Sequence, residues 1–360
     1  MMNNGALDFY RGKKVFLTGH TGFKGSWLCR ILSNAGAEVT GYSTDPPTKP
    51  SLFTLAGIRD CVRDIRGDVR DFEALKTAFE EAKPEIVLHL AAQPIVRESY
   101  RHPRYTYETN VMGTVNLLEC VRNSEYVRSA VNVTTDKVYF NNKLKRPYSE
   151  EDPLDGFDPY SNSKSCSELV THSYIRSFFG DKGIGVSTAR AGNVIGGGDF
   201  SADRIIPDCV RAVMAGEPII VRNPHSVRPY QHVLEPLMAY LLIAEMQYKD
   251  SSYAGYYNIG PDVDSCLTTR ELVRLFCECW GKEAHWEERK EQNAPHEDDL
   301  LMLDCTRIKD ILDWHARWTA AEAVQRVVEW TKTWANGGDV SKEMDRQIDL
   351  YAEAWYAHVE

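Results

Sequence analysis

Tyr160 and Lys164 stand four residues apart, a spacing that places both on one face of a helix. An ammonium one turn from a phenol lowers the phenol's pKa and lets the phenolate take a proton from a substrate hydroxyl. Thr135, at the end of an apolar strand-like run, adds a hydroxyl able to hydrogen-bond the same group. Asp136 and Lys137 follow at once, an acid and an amine side by side. Taken alone, Y-x-x-x-K also describes a solvated helix face, so the surrounding elements decide what it does.

The first of those elements is Thr18-Gly19-His20-Thr21-Gly22-Phe23-Lys24-Gly25, which follows a strand and opens a helix. Gly19, Gly22 and Gly25 would give a tight turn, a close backbone approach to a diphosphate and tight helix–strand packing, with Phe23 in the same turn. A glycine-rich turn with no ligand is the alternative, and the order strand, turn, helix favours a dinucleotide. A bound nicotinamide would add its positive charge to that of Lys164 in activating Tyr160. Asp45, past the second strand, suits a ribose 2′-hydroxyl and so NAD over NADP; it also suits a turn ahead of Pro46-Pro47. Asp68 has two readings as well, an adenine contact or the start of a helix.

These residues need a scaffold, and its rhythm is β-α-β. Lys14–Thr18, Glu38–Tyr42, Cys61–Arg66, Ile86–Leu90, Ala130–Val133 and Val186–Ala189 read as strands, with helices predicted over Phe72–Ala82, Tyr105–Val121 and Tyr160–Phe179. Apolar runs without alternation suit a parallel sheet covered on both faces. The fold class is therefore α/β, a Rossmann-type doubly wound parallel sheet. From Asp199 the rhythm breaks. Ile205–Ala215, Leu234–Met246, Ala320–Ala335 and Lys342–Ala357 read as helices, Ile219–Val221 and Tyr256–Ile259 as strands, and Thr268 with Glu271 as a capping box. The expected division is a dinucleotide domain over 1–195 and a smaller mixed α/β substrate domain over 196–360, later segments returning to the first.

Composition excludes several classes. At 360 residues, 43% hydrophobic and 26% charged, the chain is an ordinary globular protein of about two domains. A net charge of −10 argues against nucleic acid or an anionic membrane as partner. Nine scattered cysteines without a C-x-x-C suggest free thiols rather than a metal or disulfide framework. With no apolar leader and no apolar run long enough to span a bilayer, a cytoplasmic location is expected.

TGxxGxxG, Leu90-Ala91-Ala92, the strand-end threonine and Y-x-x-x-K together resemble the extended short-chain dehydrogenase/reductase family over essentially the whole chain. Thr134-Thr135-Asp136-Lys137-Val138-Tyr139 resembles the T-D-(E/K)-V-Y stretch of its nucleotide-sugar 4,6-dehydratases. The lysine at 137, with Leu90-Ala91-Ala92-Gln93-Pro94, is most similar to the branch acting on cytidine-diphosphate glucose. That resemblance implies NAD held by Gly19, Gly22, Phe23, Gly25, Asp45, Asp68, Ala91, Gln93, Tyr160 and Lys164. It also implies a sugar nucleotide met by Asn193, Arg204, Arg228 and His232. The cytidine comes from the resemblance alone, and for each arginine a surface ion pair is the alternative.

The implied reaction oxidises C4, eliminates water across C5–C6 and regenerates the NAD it uses. A 4-ketone acidifies C5–H, so elimination needs a base at C5 and an acid at O6. The resemblance gives Asp136 the acid role. Lys137 either loses its proton and acts as the base, or stays charged and steadies the enolate. Another nucleotide-sugar 4,6-dehydratase is an alternative. A 4-epimerase would share the turn and the Tyr–Lys pair but has no use for Asp136-Lys137, and a regulator on this fold typically lacks the tyrosine or the lysine. The predicted helices at 105–121 and 160–179 carry more apolar residues than one buried stripe needs, and a homodimer or homotetramer is expected.

Overall fold

The computed structural model describes residues 5–141, 146–262, 266–289 and 301–356. Seven strands form its central sheet: β1 (Lys14–Thr18), β2 (Glu38–Ser43), β3 (Arg63–Arg66), β4 (Ile86–His89), β5 (Ser129–Val133), β6 (Gly185–Ala191) and β7 (Tyr256–Ile259). Their order is β3-β2-β1-β4-β5-β6-β7, and every adjacent pair is parallel. Strand order reverses between β1 and β4. In an open parallel sheet that reversal leaves a crevice beyond the strands' carboxyl ends, where ligands bind.

The apolar runs are explained by burial from both sides. On one face α1 (Phe23–Asn34) packs Trp27, Leu28 and Ile31 into a core shared with Leu17, Leu88 and Val131 of the sheet. On the other, Leu75 and Phe79 of α2 (Phe72–Ala82) and Leu117 and Val121 of α3 (Gly113–Asn123) cover Phe16, Val87 and Val186. The helix expected over 105–121 is a near-continuous run from Pro103 to Asn123 with a π turn at Glu108–Met112. The one expected from Tyr160 is α4 (Pro159–Tyr174), carried on by a π turn through Phe179. Pro159 at its first turn and the Asp158 carboxylate on the Ser161 N–H, 3.0 Å, fix the start of α4.

A third core joins α5 (Ile205–Ala215), α7 (Thr269–Trp280) and α8 (Ala320–Ala335) to Ile219 and Val221. These elements form a mixed α/β unit around that core, and its strand pairs are short, Ile219–Val221 with Trp286–Glu288 and Val227–Arg228 with Leu267–Thr268. The chain interrupts it to return to the central sheet. Helix α6 (Leu234–Lys249), three residues longer than its apolar run suggested, is buried along nearly its whole length in the sheet's core, and β7 then pairs with β6. The capping box of Thr268 and Glu271 forms, and Thr319 with Glu322 makes another at the start of α8. The last helix, α9, spans Val340–Tyr356; Ala357, where its expected end fell, lies outside the described residues.

Candidate active site

A cleft of about 1460 Å³ runs along the carboxyl ends of the strands into the mixed unit. Gly19, Gly22, Phe23 and Gly25 form one wall and Ala91 and Asp68 face it. The glycines are there for space. Gly19 has φ +77° and a Cβ on it would lie 2.7 Å from the Ala91 nitrogen; a Cβ on Gly25 would lie 2.2 Å from the Gly19 carbonyl oxygen. Any side chain at either position would push the turn off β4 or fill the approach to α1's first N–H groups. Those groups carry the helix's positive end, so the cradle fits a diphosphate and hence a dinucleotide.

Thr135, Asp136, Lys137, Tyr160 and Lys164 line the middle of the same cleft. They come together because β5 ends at Val133 while α4 runs back across that end. Lys164 donates to the Val133 carbonyl at 3.0 Å, and burial pulls its amine down to about 8. Burial lifts Tyr160 to about 12, against the Thr135 hydroxyl and the Arg204 guanidinium, which both favour its phenolate. The Thr135 hydroxyl donates to Asp136 Oδ1 at 2.9 Å. Asp136 is 1% exposed, and its other oxygen, Oδ2, is buried with no hydrogen-bond partner. Lys137 is half-buried beside it.

Further along, Asn193, Arg204 and Arg228 line the cleft, Arg204 paired with Asp199 at 3.4 Å and Arg228 buried against the Val227 carbonyl. Three expected site residues are not brought to it. His232 is fully buried with its ring edge-on to Trp27 and Trp318, so it is a packing residue of the core. Gln93 lies behind the lining, where its amide donates to Thr106 at 2.9 Å and accepts from the Ile95 N–H at 2.6 Å, shaping the loop after β4. The Asp45 side chain is 93% exposed and, among the described residues, pairs with Arg66 at 3.9 Å. Asp68 reaches the lining with its carboxylate already committed to Arg70, by side chain and backbone.

Two groups escaped the reading of the sequence. Lys24, inside the glycine turn, lines the cleft and donates to the Tyr240 hydroxyl at 3.3 Å; burial, Arg204 and Lys164 pull its amine down to about 7. Its place between Phe23 and Gly25 was the available signal. Glu168 and Arg190 form a fully buried ion pair at 2.9 Å behind the reaction centre, and nothing in their spacing announced it. Among the described residues no group of acids, histidines and cysteines could hold a metal ion. No described helix is long and apolar enough to cross a membrane.

Sheet order, glycine cradle and tyrosine–lysine pair define a dinucleotide-binding α/β protein. The comparison with protein families then matches the GDP-mannose 4,6 dehydratase model over residues 16–327. The chain belongs to that family. It is 46% identical over 353 residues to CDP-glucose 4,6-dehydratase of Salmonella typhimurium, covering 96% of this chain and 98% of the relative. Against dTDP-glucose 4,6-dehydratase 1 of Escherichia coli the identity is 26% over 347 residues, 88% and 92% of the two chains. Among solved structures, UDP-glucose 4-epimerase of Thermus thermophilus in complex with NAD superposes with a TM-score of 0.76 at 26% identity, over 88% of this chain and 98% of that one. The dTDP-glucose 4,6-dehydratase of Bacillus anthracis, at 22% identity and a TM-score of 0.75 over 91% and 99%, shares the fold.

Proposed function

We propose that the chain converts CDP-glucose into CDP-4-keto-6-deoxyglucose and water as an NAD-dependent hydro-lyase. The nearly full-length likeness to the Salmonella enzyme supports the substrate. One observation carries the chemistry: a buried acid, Asp136, stands beside the Thr135–Tyr160 hydroxyls with one carboxylate oxygen uncommitted. A simple dehydrogenase or a 4-epimerase has no use for an acid there.

Gly19, Gly22, Phe23, Gly25, Ala91 and Lys164 would hold NAD, with Asp68 toward its adenosine end. Bound NAD supplies the hydride acceptor for C4 and the donor for C6. The chain's own groups move the protons. Tyr160 takes the C4 hydroxyl proton, with Thr135 holding that oxygen, and Lys164 favours the phenolate by its charge. Once C4 is a ketone, the Lys137 amine takes the C5 proton. Asp136 then protonates O6, the C6–O bond breaks, and water leaves as the C5–C6 double bond forms; when C6 is reduced, the Lys137 ammonium gives its proton back to C5. Arg204 and Arg228 suit the substrate diphosphate, since guanidinium forks match phosphate oxygens, and Asn193 lies between them and the reaction centre. The mixed unit would carry the nucleotide of the substrate.

Assembly belongs to the same proposal. Tyr105, Met112, Leu169 and Phe178, 41–51% exposed on the 103–123 run and on α4 with its π turn, favour a homodimer or homotetramer, for which the cytoplasm is the location we propose. A monomeric sedimentation profile at micromolar concentration would count against that. Solvent deuterium at C5 tests the chemistry. Lys137→Ala should lose exchange at C5, and Asp136→Asn should retain more of it while elimination slows. Exchange at the parental rate in Lys137→Ala would leave Lys137 only an electrostatic role.

A further inference from the structure

Behind the reaction centre lies a charge that the proposed chemistry does not use. Glu168 follows Lys164 by one turn of α4 and is fully buried. Its Oε2 accepts from the Thr188 hydroxyl at 2.7 Å, from Arg190 at 2.9 Å and from His172 Nε2 at 3.2 Å, and its Oε1 accepts from the Thr134 hydroxyl. A buried ion pair is costly unless its remaining polar atoms are satisfied; these donors satisfy the carboxylate, while Arg190 Nε is buried without a hydrogen-bond partner.

What the pair holds in place is one residue from Thr135. The Thr134 backbone N–H bonds the Ala189 carbonyl at 2.9 Å while its hydroxyl bonds Glu168. Lys164 grips the preceding carbonyl, that of Val133. Helix α4 therefore holds the end of β5 at two successive residues, and the third is the threonine that faces Tyr160. Resting on the function proposed above, we propose that Glu168 is a positioning residue for that reaction: it fixes the strand end presenting Thr135 and sets its carboxylate one helical turn from Lys164.

The groups facing Lys164 bear this out by sign. On α4 is Glu168 and on α1 is Lys24; His89 on β4 is kept neutral by burial, its Nδ1 at 2.7 Å from the Thr18 hydroxyl. Lys24 opposes a charge on Lys164, whereas Glu168 is the group that raises the Lys164 amine against its desolvation. Arg190 balances the far oxygen, leaving Oε1 on the Thr134 side.

Reductive methylation at a series of pH values, read at Lys164 by mass spectrometry, gives its titration midpoint with no substrate present. The parent midpoint should be about 8, and Glu168→Gln should lower it by about one pH unit, carrying the alkaline limb of kcat with it. Thr134→Val keeps the buried ion pair and removes only the grip on the strand. It should leave the midpoint in place and cut kcat about tenfold or more, with KM within about twofold. Glu168→Asp should restore the midpoint more fully than kcat. An unmoved midpoint in folded Glu168→Gln overturns the electrostatic half, and a parental kcat in Thr134→Val overturns the positioning half even where the 168 variants fail to fold. A parent that leaves CDP-glucose untouched would sink the substrate reading and leave the labelling midpoint as the test of this one.

Discussion

One buried carboxyl group should contribute stability that is lost as pH rises through neutrality, a loss read as the difference between the parent and its Glu235→Gln variant. Glu235 of α6 is fully buried. It accepts hydrogen bonds from the Arg317 and Trp318 N–H groups at 2.9 and 2.7 Å and from the Tyr351 hydroxyl at 2.6 Å. It thereby ties α6 to the segment before α8 and to α9. Those donors and the nearby Arg317 charge favour its anion, but burial outweighs them and lifts the carboxyl from 4.5 to about 7. Because the folded value exceeds the unfolded one, the native state holds the extra proton between them. Its contribution is whole below about 4.5 and lost as pH passes about 7. The gap corresponds to about 3 kcal/mol, or about 10² in an opening equilibrium. Hydrogen exchange of the α9 amides, corrected for intrinsic rates, should lose protection by about that factor between pH 5 and pH 8. Glu235→Gln, neutral at every pH, should flatten the dependence. Equal pH dependence in parent and variant would show that Glu235 does not hold the extra proton.

Three further outcomes follow from the site. Tyr160→Phe should abolish the first oxidation, so that no 4-keto sugar forms, while dinucleotide binding by calorimetry stays within about threefold because the glycine cradle is untouched. Asp136→Asn should slow turnover by about 10²–10⁴ at steady state without weakening binding of the nucleotide product. Asp45→Ala should leave the preference between NAD and NADP unchanged, since its carboxylate is solvent-facing; a narrowed preference in competition titrations would return Asp45 to the site.

Much of the dinucleotide half was legible because its signals are local. An apolar run, a glycine turn and an amphipathic segment follow one another over a few dozen residues, and the structure keeps β1, the turn and α1 where that order puts them. The reaction centre was legible for the same reason, since the Tyr160–Lys164 pair and the Thr135–Lys137 stretch each declare themselves over five residues or fewer. Long-range placement was not. His232 sits in the polar-looking stretch Arg228-Pro229-Tyr230-Gln231-His232, and only the folded chain reveals Trp27 and Trp318 on either side of it. Asp45 follows the second strand at a suitable distance, yet the turn through Pro46-Pro47 sends its side chain outward. Glu168 looks like an ordinary helix-surface acid until Arg190, twenty-two residues on, is brought beneath it by β6. The return of α6 and β7 to the sheet likewise depends on partners far away in sequence.

Whether this cleft dehydrates a cytidine-linked glucose is decided by incubating the protein and NAD with CDP-, dTDP-, UDP- and GDP-glucose in parallel, then adding base and reading the absorbance of a 4-keto-6-deoxyhexose. CDP-glucose should give the chromophore at a rate at least about tenfold above the other three, a discrimination that one or two base-specific hydrogen bonds can supply. No chromophore with CDP-glucose, or a galactose product formed without it, would overturn the proposed function.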